Sequence, residues 1–130
     1  MAASKGVTIL GSTGSIGVST LDVIARHPDR FHVVALTAHH NLDLVTRQVL
    51  QFNPRYVVVR ETDKATLLRN QLHELKSNTE VLSGEEGLCL VSAIPEAEYV
   101  MAAIVGAAGL MPTLAAVRAG KRVLLANKEA

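Results

Sequence analysis

Residues 11–17 have the sequence Gly-Ser-Thr-Gly-Ser-Ile-Gly and directly follow an apolar run at residues 7–10. The run predicts a short buried strand, and the residues after the glycines have apolar side chains at helical spacing. Glycines between a strand and a helix are typical of a phosphate-binding turn. Gly11 lets the chain turn sharply, Gly14 lets backbone amides approach a pyrophosphate, and Gly17 lets the helix pack tightly on the sheet.

The start of the helix after this turn provides the chemistry that an anion needs. The first-turn N–H groups of a helix have no partner within it, and the helix dipole places roughly half a positive charge there. Thr13 and Ser15 add hydroxyl donors, and Ile16 lies in the same turn. The G-x-x-G-x-x-G spacing differs from G-x-G-x-x-G, so a purely structural turn is the alternative. The position directly after a first strand favours the phosphate-binding interpretation.

The rest of the chain repeats the strand–helix alternation. Strands are predicted at residues 7–10, 32–37, 56–59, 80–82, 99–105 and 123–126. Helices are predicted at residues 16–27, 42–52 and 84–92. Two more helices are expected, one in a polar segment with Leu68, Leu72 and Leu75 on one face and one between Pro112 and Gly120. Such alternation predicts an α/β fold with right-handed crossovers. We therefore expect one Rossmann-like, doubly wound domain over residues 1–130, with a mostly parallel sheet and helices on both faces.

Composition narrows the class of protein. Apolar residues make up 48% of the 130 residues and aromatic residues only 3%, which suits buried parallel strands of Val, Ile, Leu and Ala. A net charge of +1 without long charged runs predicts neither nucleic-acid nor membrane-surface binding, and no stretch has the length of a membrane helix. The single cysteine, Cys89, favours a reducing, cytosol-like compartment, although a chloroplast stroma would look the same.

The end of the second predicted strand bears on the choice between NAD and NADP. An NAD-specific fold usually has an acidic residue there for the ribose hydroxyls, but residues 37–41 are Thr-Ala-His-His-Asn. A carboxylate would repel a 2′-phosphate, whereas His39, His40 and Asn41 can donate hydrogen bonds to it. The sequence therefore favours NADP(H), with a solvated loop as the alternative interpretation of the two histidines.

Two further turns are expected at the same edge of the sheet, after the last two strands. Residues 106–109, Gly-Ala-Ala-Gly, are small enough for a nicotinamide ribose or ring to lie against the backbone. Asn127, Lys128 and Glu129 follow the last strand, where a lysine can hold a substrate phosphate or carbonyl. Composition alone leaves a solvated loop equally open at this second turn.

Several segments together resemble the 1-deoxy-D-xylulose 5-phosphate reductoisomerase family. They are residues 11–17 with 19–23, then 80–84, 101–110 and 124–129. The resemblance runs from about Val7 to the last residue, and the segments at 104–110 and 124–129 are its most specific parts. The chain is therefore identified as resembling the amino-terminal, NADPH-binding domain of that family, with the family's catalytic and carboxy-terminal domains absent.

The resemblance implies an activity and a set of contacts. The family converts 1-deoxy-D-xylulose 5-phosphate to 2-C-methyl-D-erythritol 4-phosphate in non-mevalonate isoprenoid biosynthesis, using Mg²⁺ or Mn²⁺ and NADPH, as a homodimer expected in the cytoplasm. The resemblance implies that the pyrophosphate is contacted by Thr13, Gly14, Ser15 and Ile16, and the adenosine 2′-phosphate end by His39, His40 and Asn41. It also implies that the nicotinamide end is contacted by Asn127 and Glu129, and that Lys128 binds the substrate. The family's metal ligands, lid and phosphate-binding loops lie beyond residue 130, so no catalytic or metal residue is assigned here and this chain alone is expected to be inactive.

Some features depart from the family or leave other classes open. The family often has Gly-Lys-Asn in place of residues 39–41, so a lysine charge on the 2′-phosphate is missing here, and Ala130 stands where Ser is common. Residues 119–121, Ala-Gly-Lys, also resemble a segment of dehydrogenases of the glucose-fructose oxidoreductase type. Those dehydrogenases have a sequence like Glu-Lys-Pro after the following strand, where this chain has Asn-Lys-Glu at residues 127–129, which argues against that class. A non-catalytic NADP-sensing module is the third hypothesis.

Overall fold

Strands and helices alternate along the chain in a computed structural model, which describes residues 4–104 and 106–125. The strands are β1 (Lys5–Leu10), β2 (Phe31–Ala38), β3 (Tyr56–Val59), β4 (Glu80–Ser83), β5 (Tyr99–Ala102) and β6 (Arg122–Leu125). The helices are α1 (Ser15–Arg26), α2 (Leu42–Phe52), α3 (Thr62–Glu74), α4 (Gly84–Ala93) and α5 (Leu110–Arg118), with a short 3₁₀ turn at Gly106–Gly109.

All six strands form one parallel sheet in the order β4-β3-β2-β1-β5-β6. From β1 the chain builds outward through β2, β3 and β4, and then returns to the other side of β1 with β5 and β6. The direction of winding therefore reverses beside β1, which is where open α/β sheets bind ligands. The predicted Rossmann-like, doubly wound fold is confirmed.

The helices cover both faces of the sheet, because successive strand residues point to opposite sides. Val57 and Val59 join one apolar cluster with α1, α2 and α3, whereas Val58 joins a second cluster with α4 and α5. All three valines are fully buried. The continuous apolar run of β3 is thus explained by burial on two faces, as parallel strands require.

The structure corrects two boundaries that the apolar pattern predicted. The fifth strand ends at Ala102 rather than at residue 105, since Ala103 and Ile104 turn out of the sheet to line a cavity ahead of the 3₁₀ turn. Leu75 does not share the buried face of Leu68 and Leu72, because α3 ends at Glu74 and Leu75 is 46% exposed. Residue 126, predicted as the end of the last strand, lies outside the described residues.

The helices in the described part of the chain are 9 to 13 residues long. None of them combines the length and apolar content that crossing a membrane would need.

Candidate functional site

A cavity of about 340 Å³ lies at the carboxyl edge of the sheet, where the turn after β1 meets the ends of β2 and β5. This volume is within the range of small-molecule sites, roughly 300–1,000 Å³. The cavity is lined by Gly11, Thr13, Gly14, Thr37, Ala38, His39, Arg60, Leu88, Ala103, Ile104 and Ala108. Three of the six residues predicted in the glycine turn therefore form its wall.

Two of the three glycines are required by the backbone of the turn. Gly11 has φ of +86°, a conformation that side chains disfavour, and a Cβ there would lie 3.2 Å from the Ala103 carbonyl carbon. A Cβ on Gly17 would collide with the Gly11 carbonyl oxygen and lie 2.6 Å from the Cα of Ser12. α1 therefore lies directly against the residues that follow β1, and this contact depends on Gly17.

Gly14 has a different role from the other two glycines. Its φ of −78° suits any residue, and a Cβ there would meet only the Gly11 carbonyl oxygen, at 3.8 Å. The fold does not need glycine at this position. Because Gly14 is exposed and lines the cavity, the missing side chain instead leaves room in front of α1.

The amino end of α1 has the electrostatics of an anion site. No side chain caps the helix, and its first turn contains no acidic residue. By contrast, α2 is capped by Asn41, whose Oδ1 accepts from the Leu44 N–H at 3.1 Å, and has Asp43 in its first turn. The first-turn amides of α1 and its positive dipole end are therefore available to a ligand.

A buried hydrogen-bond network that the sequence did not predict holds the glycine turn in place. The Gly11 N–H donates to Thr37 Oγ1 at 2.7 Å, and the Ser12 N–H donates to the Thr37 carbonyl at 2.8 Å. Gln48 on α2 accepts from Ser12 Oγ at 2.8 Å and donates to the Ser12 carbonyl at 2.9 Å. The turn is thus fixed by β2 and α2, from residues 25 to 36 positions away in sequence.

The residues predicted at the 2′-phosphate end lie beside one another after β2. His39 lines the cavity, and its ring is 3.7 Å from that of His40, centroid to centroid. His40 Nδ1 is 3.0 Å from the ammonium of Lys64 on α3. His40 and Asn41 are exposed and are not part of the cavity wall, and the side-chain oxygen Oδ1 of Asn41 is used in capping α2.

Arg60 is a cavity residue that the sequence analysis missed. It directly follows β3, and since Ala38 pairs with Val59, Arg60 leaves the sheet next to His39. The signal was available, because a charged residue comes straight after a buried valine run. The site is shared with this residue because the sheet order places the end of the third strand beside the end of the second.

One group of side chains in the described residues has metal-ligand spacing. Ligand atoms of His39, His40 and Glu61 lie within 4.8 Å of one another, and all three residues are exposed. The Lys64 ammonium is 3.8 Å from the Glu61 carboxylate and 3.0 Å from His40 Nδ1. Its positive charge would therefore repel a metal ion bound by this group of residues. Mg²⁺ also prefers an all-oxygen shell. These residues therefore do not fit the family's divalent metal.

The last predicted contacts, Asn127, Lys128 and Glu129, lie outside the described residues, and their roles stay predictions. Of the small residues at 106–109, which were predicted to lie against the nicotinamide, Ala108 lines the cavity. Ser15 and Ile16 lie in the first turn of α1 beside Gly14.

Fold and site together define a Rossmann-class nucleotide-binding domain: a doubly wound parallel sheet whose glycine turn opens a helix end onto a cavity at the switch point. The sequence pattern of 1-deoxy-D-xylulose 5-phosphate reductoisomerase matches residues 7–130. The chain belongs to this family. Membership disfavours the glucose-fructose oxidoreductase alternative.

Two relatives of this chain support the assignment to the family. The chain is 58% identical over 123 residues to the 1-deoxy-D-xylulose 5-phosphate reductoisomerase of Saccharophagus degradans, and 60% identical over 124 residues to that of Stutzerimonas stutzeri. Each match covers 95% of this chain and 31% of the relative. The chain thus spans about a third of the length of these relatives.

Solved structures show the same fold in the same family. A crystal structure of DOX-P reductoisomerase in complex with NADPH, fosmidomycin and magnesium is 42% identical, with a TM-score of 0.91 over 95% of this chain and 30% of that one. The Zymomonas mobilis enzyme in complex with NADPH is 41% identical, with a TM-score of 0.88 over 95% of this chain and 32% of that one.

Proposed function

We propose that this chain is the NADP(H)-binding domain of a 1-deoxy-D-xylulose 5-phosphate reductoisomerase, formed by residues 1–130. The observation that carries the proposal is the cavity at the switch point, into which the uncapped end of α1 opens past Gly14. The NADPH complexes of two related structures support the choice of ligand. For this chain the proposal covers the binding of NADP(H), which is the step of the enzyme's activity that takes place at this cavity.

The residues of the cavity and those around it have separate roles in holding the dinucleotide. The first-turn amides of α1 and the hydroxyls of Thr13 and Ser15 bind the pyrophosphate, and the network of Ser12, Thr37 and Gln48 keeps those amides in position. His39, His40 and Asn41 lie at the adenosine 2′-phosphate end. Asn127 and Glu129 are proposed to contact the nicotinamide end, and Lys128 the substrate.

The whole enzyme is proposed to rearrange 1-deoxy-D-xylulose 5-phosphate and reduce the product to 2-C-methyl-D-erythritol 4-phosphate, in isoprenoid biosynthesis. Bound NADPH supplies the hydride for the reduction. Mg²⁺ or Mn²⁺ is proposed to be bound elsewhere in the whole enzyme, since the one candidate metal group among residues 4–104 and 106–125 does not fit. The 130-residue chain alone is therefore expected to bind cofactor without turning over substrate.

The wider setting of the enzyme is proposed from the same family membership. We propose a cytoplasmic homodimer that acts on a small phosphorylated sugar and binds neither nucleic acid nor membranes. The near-neutral net charge of +1 supports the absence of nucleic-acid and membrane binding, and the single cysteine supports a reducing compartment. A non-catalytic sensing module has less support, since the named relatives are reductoisomerases.

Fluorescence titration of the chain with NADPH tests the proposed binding. We expect saturable binding that Gly14→Val weakens strongly, because the added side chain enters the cavity. Arg30→Gln, an exposed change at the opposite edge of the sheet, should bind as the unchanged chain does. Absence of NADPH binding by the folded, unchanged chain would overturn the proposal.

A further inference from the structure

Arg60 is a cation on the cavity wall that forms no ion pair with the residues that the structure describes. None of the ion pairs found among residues 4–104 and 106–125 includes it. The neighbouring Lys64 differs, since its ammonium is 3.8 Å from the Glu61 carboxylate and 3.0 Å from His40 Nδ1. Lys64 therefore offsets the one carboxylate of this cluster, and Arg60 retains a positive charge for a ligand.

The sheet register places this charge at a defined part of the cavity. Ala38 pairs with Val59, so His39 and Arg60 leave β2 and β3 side by side at the carboxyl edge. Both line the cavity that Gly11 and Gly14 border. When a dinucleotide lies with its pyrophosphate on the glycine turn, the end of the second strand is where the adenosine ribose sits. Arg60 consequently lies beside the ribose position.

The chemistry at this position favours a phosphate on the ribose. A 2′-phosphate is largely dianionic at neutral pH, and a guanidinium matches two of its oxygens with parallel N–H donors while staying charged at every relevant pH. Imidazoles carry only part of a charge near neutral pH. A guanidinium is therefore better suited than an imidazole to pair with a 2′-phosphate.

We propose that Arg60 sets the preference for NADP(H) over NAD(H), by pairing its guanidinium with the 2′-phosphate. The inference rests on the proposed function, and it assigns the preference to the residue that follows the third strand rather than to the loop after the second. His39 and His40 then act as additional hydrogen-bond donors around the same phosphate.

The test compares NADPH and NADH titrations of the 130-residue chain and three variants. Arg60→Gln should bind NADPH roughly 10- to 100-fold more weakly, as expected for loss of a charge-assisted contact, and bind NADH as before. Arg60→Lys should recover part of the loss, because it restores the charge without the planar fork. Arg30→Gln removes an exposed arginine from the other edge of the sheet and should change neither affinity. Circular dichroism would establish that each variant is folded.

The outcomes separate this inference from the proposed function. A selective loss of NADPH affinity in Arg60→Gln supports it. If the unchanged chain and Arg60→Gln prefer NADPH to the same extent, Arg60 is not the determinant and only this inference fails. If the unchanged chain binds neither nucleotide, the proposed function fails and this inference fails with it.

Discussion

Glycine has three different physical roles within seven residues of this chain. Gly11 provides a left-handed backbone, Gly17 permits contact between a helix and the turn, and Gly14 leaves space that the fold itself does not require. The sequence predicted the turn and its glycines. It also predicted separate roles for them, and the structure adds the positive φ of Gly11, the contact of Gly17 with the turn and the open space at Gly14.

That distinction gives different expectations for two substitutions. Gly17→Ala should destabilise the chain by about 1–3 kcal/mol, because its Cβ has no room against the backbone of the turn. Gly14→Ala should destabilise the chain by less, about 0.5–1 kcal/mol for alanine at the N-cap of α1, while weakening NADPH binding. Urea denaturation and NADPH titration measure the two effects. Equal destabilisation by both substitutions would show that Gly14 is also structural.

Cys89 on α4 is expected to be a slow nucleophile. Burial, with a further contribution from the Glu85 carboxylate, raises the pKa of its thiol, so less thiolate is present at any given pH. Alkylation followed from pH 7 to 10 should be slower than for an unstructured cysteine peptide. Glu85→Gln should lower the pKa and speed the reaction, whereas Glu74→Gln should not. A rate equal to that of the peptide throughout would contradict this expectation.

At the scale of elements, the stability of the site depends on how α2 and β2 hold the turn. Gln48 is 6% exposed and makes two hydrogen bonds to Ser12, which is fully buried. Both contacts connect α2 with the loop that precedes α1. Gln48 is thus a positioning residue for the amides of the turn, although it does not line the cavity.

Gln48→Ala should lower the free energy of unfolding by about 1–3 kcal/mol, because the buried Ser12 carbonyl loses the Gln48 amide that donates to it, although the Ser12 hydroxyl keeps its bond to the Thr37 carbonyl. It should also weaken NADPH binding, since the turn loses a constraint. Gln51→Ala, an exposed change on the same helix, serves as the control in urea denaturation and NADPH titration. If the two variants are equally stable, the network does not hold the turn.

Most elements could be predicted from sequence because their apolar runs and helical stripes are local patterns. The strand at Tyr56–Val59 was predicted to the residue, since burial on both faces leaves an uninterrupted valine run. The fifth strand was predicted too long, because an apolar run does not show whether its last residues pair with a strand or line a cavity. The Ser12–Gln48 network and the position of Arg60 depend on strand order and register, which no local pattern contains.

At the scale of the whole molecule, binding at the cavity should stabilise the entire fold, because it bridges β1, β2 and α1. At a free ligand concentration of 100 times Kd, linkage adds about 2.7 kcal/mol to the free energy of unfolding. Scanning calorimetry should therefore show Tm rising by several degrees with NADPH, and by less with the same concentration of NADH. Equal shifts for the two nucleotides would argue against a 2′-phosphate subsite.

The central claim is that backbone amides at the start of α1 hold the pyrophosphate of NADP(H). A crystal structure of the chain with bound NADPH tests it most directly. We expect pyrophosphate oxygens about 2.7–3.2 Å from main-chain nitrogens of residues 13–17, with the 2′-phosphate beside Arg60. A nucleotide bound away from the glycine turn, or a pyrophosphate held by side chains alone, would contradict the account.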